Sequence, residues 1–218
     1  MNYLWVAILL VAYLLGSIPF GKIIARKVAG IDITTRGSGN IGATNVSRQL
    51  GVTWGLITLV LDTAKGFLPV FLAAQYLPRH DVLLFWGLTA TGTAALLGHQ
   101  FSVFQGFRGG KGVATALGVY LAIAPLPCLV ALLLFVAVVY KWKYVSLGSL
   151  VSAFSVPVLV TLFGKPPSIS IGALVIAFLI AVKHQDNIRR LARGQEHPWK
   201  KKPDQPNLSR SRSNSSSE

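Results

Sequence analysis

Five uncharged stretches constrain this chain more than any other feature: Tyr3–Gly21, Val82–Leu97, Gly112–Tyr140, Tyr144–Gly164 and Pro166–Val182. A helix that crosses a hydrocarbon core needs about 20 mostly apolar residues, with a lower limit near 17. Only 13% of the residues are charged, about half the share of roughly 25% usual in soluble domains. The sequence therefore predicts an all-α protein, a polytopic membrane helix bundle of about seven transmembrane helices. The first run has no Lys or Arg ahead of it and no small-x-small cleavage site before a soluble domain, so it reads as a retained helix rather than a signal peptide. The bundle is expected over residues 1–198. The Lys-, Pro- and Ser-rich residues 199–218 read as a disordered basic tail.

The expected spans are Tyr3 to Ile24 with a kink at Pro19, Val52–Leu77, Val82–Phe104, two short helices within Gly112–Tyr140, Val145–Phe163 and Ser168–Val182. Charge decides between one kinked span and a hairpin over Gly112–Tyr140, because a hairpin leaves Arg108, Lys111, Lys141 and Lys143 on one side. With the hairpin, Arg79 and Lys165 fall on one side and Lys65 inside a span, while the rest of the 21 Lys and Arg residues share the other side. The positive-inside rule makes that rich side cytoplasmic, with the N-terminus outside and the C-terminus cytoplasmic. A net charge of +14 would suggest nucleic acid on a soluble protein. Here the charge is parcelled between spans, which fits orientation, membrane lipids and anionic ligands, and no nucleic acid. Cys128 is the only cysteine and lies in an apolar run, so no disulfide or cysteine-based metal site is possible within one chain. Asp62 and Lys65, three apart inside a span, read as a structural ion pair.

Three polar segments carry the chemistry. Residues 98–112, GHQFSVFQGFRGGKG, follow an apolar run and precede an uncharged one. Gly109, Gly110 and Gly112 let backbone N–H groups approach an anion, and Arg108 and Lys111 add charge at a helix start. This is not a P-loop: Gln105 stands where the first Gly belongs, and Gly112 where Ser or Thr belongs. Residues 29–51 include Gly37-Ser38-Gly39-Asn40-Ile41-Gly42, a G-x-G-x-x-G without the strand a dinucleotide site needs. Ser38, Asn40, Thr44 and Asn45 supply neutral hydrogen-bonding groups there, and Thr44 and Arg48 share a helix face. Residues 183–196, KHQDNIRRLARGQE, should extend the last helix into the cytoplasm, with Gly194 as its C-cap and with His184, Asn187, Arg190 and Glu196 near the membrane mouth. Arg189 and Arg193 suit anionic lipid, and His99 reads as a structural residue.

Together these segments form an anion site at one mouth of the bundle. It has no Ser-His-Asp order and no accessible cysteine for covalent catalysis. It has no carboxylate cluster for Mg²⁺, so no metal and no cofactor are expected. Direct transfer between a phosphorylated acceptor and an already activated donor fits, with cations and N–H groups stabilising developing charge. A transporter of a phosphorylated small solute is the competing class, although no inverted repeat is evident.

The motifs Ser38-Gly39-Asn40-Ile41-Gly42-Ala43-Thr44-Asn45 with Arg48, Gly98-His99 through Phe107-x-Gly109-Gly110-Lys111-Gly112-Val113-Ala114-Thr115, and His184 with Asn187-Ile188, Arg190-Leu191, Gly194 and Glu196 closely resemble the bacterial membrane acyl-phosphate:glycerol-3-phosphate acyltransferases, the PlsY family. The resemblance implies transfer of a fatty acyl group from acyl phosphate to glycerol 3-phosphate, giving lysophosphatidic acid and phosphate at the cytoplasmic face of the bacterial inner membrane, without acyl-CoA. It implies that Ser38, Arg48 and Lys111 contact substrate phosphate and hydroxyl groups. The Gly109–Gly112 backbone would hold the acyl phosphate. His184 and Asn187 would bind glycerol 3-phosphate near its reacting hydroxyl, and Glu196 would orient its neighbours. Either His184 or the donor phosphate takes the hydroxyl proton.

Overall fold

A computed structural model describes residues 2–76 and 83–199, and every regular element among them is helical. The expected disordered tail falls, apart from Trp199, outside the described residues. Helices α1 (Asn2–Ser17) and α2 (Phe20–Ala29) are one apolar rod broken at Ile18–Pro19. Pro19 has no N–H and adopts φ −90°, ψ 70°, so the hydrogen-bond ladder of α1 stops there, as the sequence predicts. The rod ends at Gly30, whose left-handed backbone (φ 66°) returns its N–H to the Arg26 carbonyl at 3.1 Å. A 3₁₀ turn (Ile33–Thr35) and α3 (Ala43–Leu50) follow, and α4 (Val52–Tyr76) begins after Gly51. Then come α5 (Leu83–Gln100), a 3₁₀ turn (Val103–Gln105), α6 (Val113–Ile123), α7 (Pro125–Trp142), α8 (Val145–Leu162), α9 (Pro167–Lys183) and α10 (Gln185–Ala192).

Four segments are long and apolar enough to cross a membrane: Tyr3–Ala29, α4, α7 and α8. Counting α9 with α10 as one bent span makes five, against the expected seven or so. The difference lies in α5 and α6. Helix α5 carries Thr89, Thr91 and Thr93, whose hydroxyls donate to carbonyls four residues back at 2.7, 2.8 and 2.9 Å. These polar groups are satisfied within the helix, so α5 sits inside the bundle with modest hydropathy. Helix α6 has 11 residues, which at 1.5 Å per residue cover about 16 Å, roughly half of a hydrocarbon core.

Gly112–Tyr140 does form two helices. The break is at Ala124 (φ −147°, ψ 70°), immediately before Pro125 at the first position of α7. Both outer ends of the pair meet the same C-terminal segment. The Lys111 ammonium donates to Asn187, and the Trp199 N–H donates to the Lys143 carbonyl at 2.7 Å. The α6–α7 unit therefore turns back as a hairpin, as charge placement predicts. One expectation is corrected. Residues 183–196 do not extend the last helix: the chain bends by 67° between α9 and α10. His184 leaves helical geometry at φ −103°, ψ 8°, and its N–H tightens onto the Ala181 carbonyl at 3.0 Å. The end of α10 is as expected, with Gly194 left-handed at φ 67° and the Gln195 N–H returning to the Arg190 carbonyl at 2.8 Å.

Helix α4 is the hub, packed by α6, α3, α5 and α1. Its tightest crossing is with α6. A Cβ on Gly66 would collide with the Thr115 carbonyl, and one on Gly118 with the Thr63 carbonyl. Two backbones thus meet at reciprocal glycines, the usual way for helices to approach closely without a hydrophobic drive between them. Most of the bundle's outer face is apolar, with Leu133, Phe178 and Leu162 at 68%, 65% and 76% exposure. On an integral membrane protein that face meets lipid. Replacing Gly118 with Leu should lower stability by about 1–3 kcal/mol through overpacking, read as Tm in detergent. Phe178→Ala on the outer face should leave Tm nearly unchanged. Equal losses would contradict this packing.

Candidate functional site

The first polar segment is folded around one amide. Asn45, 2% exposed on α3, donates to the carbonyls of Asn40 (2.9 Å), Arg36 (3.0 Å) and Ile33 (3.4 Å). Its Oδ1 accepts the Ser38 N–H at 3.1 Å. Asn40 closes the next turn by accepting the Gly42 N–H at 2.9 Å. At the start of the loop, Asp32 accepts from the Thr34 N–H and hydroxyl at 3.0 and 2.7 Å and pairs with Lys22 at 3.4 Å. The neutral residues of this loop mainly build it. Asn45 was expected to contact substrate, but its side chain is committed to four backbone groups. It therefore positions the loop.

The second segment is clamped from three sides. Tyr13 donates to the Phe101 carbonyl at 2.6 Å, and the Ser102 hydroxyl donates to the Ser17 carbonyl. The Gly110 N–H returns to His99 at 3.1 Å. Fully buried Gln100 donates to the carbonyls of Lys111 (3.0 Å) and Leu179 (3.3 Å), tying the loop to α9. Gly112 then caps α6 with φ 87°, a value an L side chain rarely adopts. Among the described residues, the N–H groups of Lys111, Gly112, Val113 and Ala114 have no hydrogen-bond partner. They are the free donors of a helix start beside a lysine, an arrangement that suits an anion.

The third segment meets the second. Lys111 donates to Asn187 Oδ1, Asn187 Nδ2 donates to Glu196 at 3.0 Å, and the other Glu196 oxygen accepts from Arg190 Nε at 3.1 Å. Asn187 is 6% exposed and the Glu196 side chain 7%. Burial lowers the Lys111 ammonium to about 8. The Glu196 carboxylate opposes the shift, while Arg190 and Arg48 deepen it. His184, 2% exposed, is lowered to about 4 by burial and by the Lys111 charge. Its ring is therefore neutral near pH 7. Nδ1 lies 2.8 Å from the Ile180 carbonyl, which can only accept. Nδ1 thus carries the proton and Nε2 carries a lone pair.

Arg48 joins the first segment to this group. Its guanidinium donates to the carbonyls of Pro198 at 3.2 Å and His197 at 3.4 Å. Arg48, Lys111, His184, Asn187 and Glu196 are thereby brought to one end of the bundle. The side chains of Ser38, Thr44 and Arg108 make no hydrogen bond among the described residues, and Ser38 and Arg108 are exposed. Sequence reasoning placed Arg190 near the mouth without a role; here it clamps Glu196. It passed over Gln100, although an uncharged amide closing an apolar helix beside His99 was the available signal. No group of three or more His, Cys, Asp or Glu residues able to hold a metal occurs among the described residues.

The model of the family described as glycerol-3-phosphate acyltransferase matches residues 6–194. The glycerol-3-phosphate acyltransferase of Geotalea daltonii is 49% identical over 196 residues, covering 90% of this chain and 98% of that protein. The Geobacter sulfurreducens protein of the same name is 50% identical over 190 residues, covering 87% and 95%. Two crystal structures of PlsY (YgiH), described as an integral membrane glycerol 3-phosphate acyltransferase, are also similar. The glycerol 3-phosphate form has a TM-score of 0.83 at 43% identity, and the lysophosphatidic acid form 0.81 at 44%. Each comparison covers 89% of this chain and 94% of the other.

Replacing Asn45 with Ala should unfold the first loop locally, because each buried backbone group left without a partner costs about 1–3 kcal/mol. Faster amide hydrogen exchange at Ser38 and Gly42, with α4 unchanged, is the expected result. Unchanged protection at Ser38 would contradict the positioning role.

Proposed function

The chain belongs to the glycerol-3-phosphate acyltransferase family, and we propose that it takes its acyl group from acyl phosphate, giving lysophosphatidic acid and phosphate as the first step of membrane phospholipid synthesis. Family membership also decides between the enzyme and the transporter. The observation that carries the donor assignment is the cluster itself. Unpaired N–H groups from Lys111 to Ala114 and the Lys111 and Arg48 cations provide for phosphate groups on both substrates.

The acceptor hydroxyl oxygen attacks the carbonyl carbon of the mixed anhydride, a new C–O bond forms, and the bond to phosphate breaks. The Gly109–Gly112 backbone and Lys111 hold the donor phosphate and neutralise the charge it gains as it leaves. Arg48 and Ser38 bind the acceptor phosphate, with Asn40, Thr44 and Arg108 bordering it. Asn187 and Glu196 hold the Lys111 ammonium in place. His184 accepts a hydrogen bond from the reacting hydroxyl through Nε2. With its proton affinity lowered to about 4, the imidazole is a weaker base than a phosphate, whose second pKa is near 6. The hydroxyl proton therefore goes to the departing phosphate, and His184 orients the attack. The catalytic unit is residues 1–198. Seven passes result when α1–α2, α4, α5, α6, α7, α8 and α9 are each counted. The positive-inside rule then places the N-terminus outside and the site at the cytoplasmic face of the bacterial inner membrane, with no metal or cofactor.

Purified protein given acyl phosphate and glycerol 3-phosphate should release lysophosphatidic acid and phosphate in equal amounts. Product from an acyl thioester and none from acyl phosphate would overturn the donor assignment. His184→Ala should keep measurable kcat at saturating acceptor, and complete loss would make the histidine the base. The Lys111 cation is present below about 8 and lost above it. The kcat/KM for acyl phosphate should therefore fall as pH rises through about 8, and a flat profile to pH ~10 would contradict a phosphate-binding Lys111.

A further inference from the structure

Asp62 and Lys65 on α4 are 2% and 4% exposed, and their side chains pair at 2.9 Å. The acyl transfer just described uses neither. Isolating a charge pair in a membrane bundle is costly, and apolar residues of similar volume often hold helices together equally well. A packing role alone therefore gives no reason for charge here. The contacts of the pair supply one. Lys65 also donates to the Ile18 carbonyl at 2.7 Å, at the α1–α2 break. The Ser102 hydroxyl, from the glycine-rich loop, holds the Ser17 carbonyl beside it. Asp62 faces the His99 ring, with Oδ1 3.8 Å from Nδ1. That spacing is too long for a hydrogen bond, and His99 Nδ1, fully buried, has no hydrogen-bond partner. The opposite edge of the imidazole lies against the loop: a Cβ on Gly110 would collide with His99 Nε2. The ring is thus wedged between the intramembrane carboxylate and the backbone of Gly110, whose N–H returns to the His99 carbonyl at 3.1 Å.

We propose that Asp62, Lys65 and His99 are positioning residues for the donor phosphate. The ion pair fixes the elbow between α1 and α2 and the imidazole beside it. The imidazole in turn sets the position of the Gly109–Gly110 backbone, from which the N–H groups of Lys111 to Ala114 reach the anion. This inference rests on the reading of Gly109–Gly112 as the acyl phosphate seat. It assigns the cluster chiefly to the donor, because His99 bears directly on Gly110, whereas the elbow reaches the first loop through α2, and that loop and Arg48 are also held by Asn45 and by residues 197–198.

Steady-state kinetics with both substrates varied test it on two proteins: the Asp62→Leu/Lys65→Met double variant, which removes both charges together, and His99→Ala, which removes the wedge and keeps the pair. Each should raise the KM for acyl phosphate about tenfold or more and leave the KM for glycerol 3-phosphate within about twofold, as expected when one subsite is displaced. A purely structural cluster would lower Tm and the active fraction while leaving both KM values unchanged. That result, an equal rise in both KM values, or failure of both variants to fold would overturn the proposal. Wild-type protein that makes no lysophosphatidic acid from acyl phosphate would instead sink the functional reading on which it rests.

Discussion

A cation at the rim of an apolar bundle has to be held there, and in this protein the holders are α10 and the residues just after it. Lys111 loses hydration where it sits, which lowers its affinity for a proton. The run from Lys111 through Asn187 and Glu196 to Arg190 compensates with hydrogen bonds and alternating charge. Everything that brings this run together follows from backbone geometry elsewhere. The bend at His184 turns α10 across the mouth, Gly194 reverses the chain so that Glu196 returns to Arg190 and Asn187, and Gln100 ties the Lys111 carbonyl to α9. Without the bend, α10 would continue along the axis of α9 and leave Lys111 facing apolar surroundings alone.

Two loops are kept rigid by different means, and the difference suits their roles. The first is organised from within by the single amide of Asn45. The second is pinned from outside, by Tyr13, by the Ser102 contact with α1, and by the buried imidazole under Gly110. Under the proposed mechanism the second loop seats the leaving phosphate, and external bracing suits that role, since preorganised N–H donors stabilise developing charge without moving as the reaction proceeds. The Arg48 guanidinium meanwhile rests on the carbonyls of residues 197–198. These are weaker acceptors than a phosphate, so a bound anion can replace them.

The membrane fold was legible because uncharged length is a strong signal. The kink at Pro19, the α6–α7 hairpin and the Gly194 cap could also be read from residue type and charge placement. The bend at His184 was not legible. Residues 183–196 carry a continuous helical pattern, and no proline or glycine marks position 184. The number of clear spans was also obscured, because α5 satisfies its threonines internally and α6 is short. At the site, the residue types for anion binding were visible, but the division of labour was not. Asn45 and Ser38 look equally available in sequence. Only the fold shows that one side chain is consumed by the loop while the other remains open. The Asp62–Lys65 pair was recognised as an ion pair, while its contact with the glycine-rich loop depends on a helix crossing that spacing cannot reveal.

On the proposed mechanism, three distant polar segments grip two phosphate groups at one end of the bundle. The decisive experiment is a structure of the protein with glycerol 3-phosphate and a non-reactive acyl phosphonate bound together. One anion is expected against the Lys111–Ala114 N–H groups and a second on Arg48, with the acceptor hydroxyl facing His184 Nε2, all within ordinary hydrogen-bond distance of about 2.7–3.2 Å. Both anions held by a single segment, or either one at the opposite end of the bundle, would contradict it.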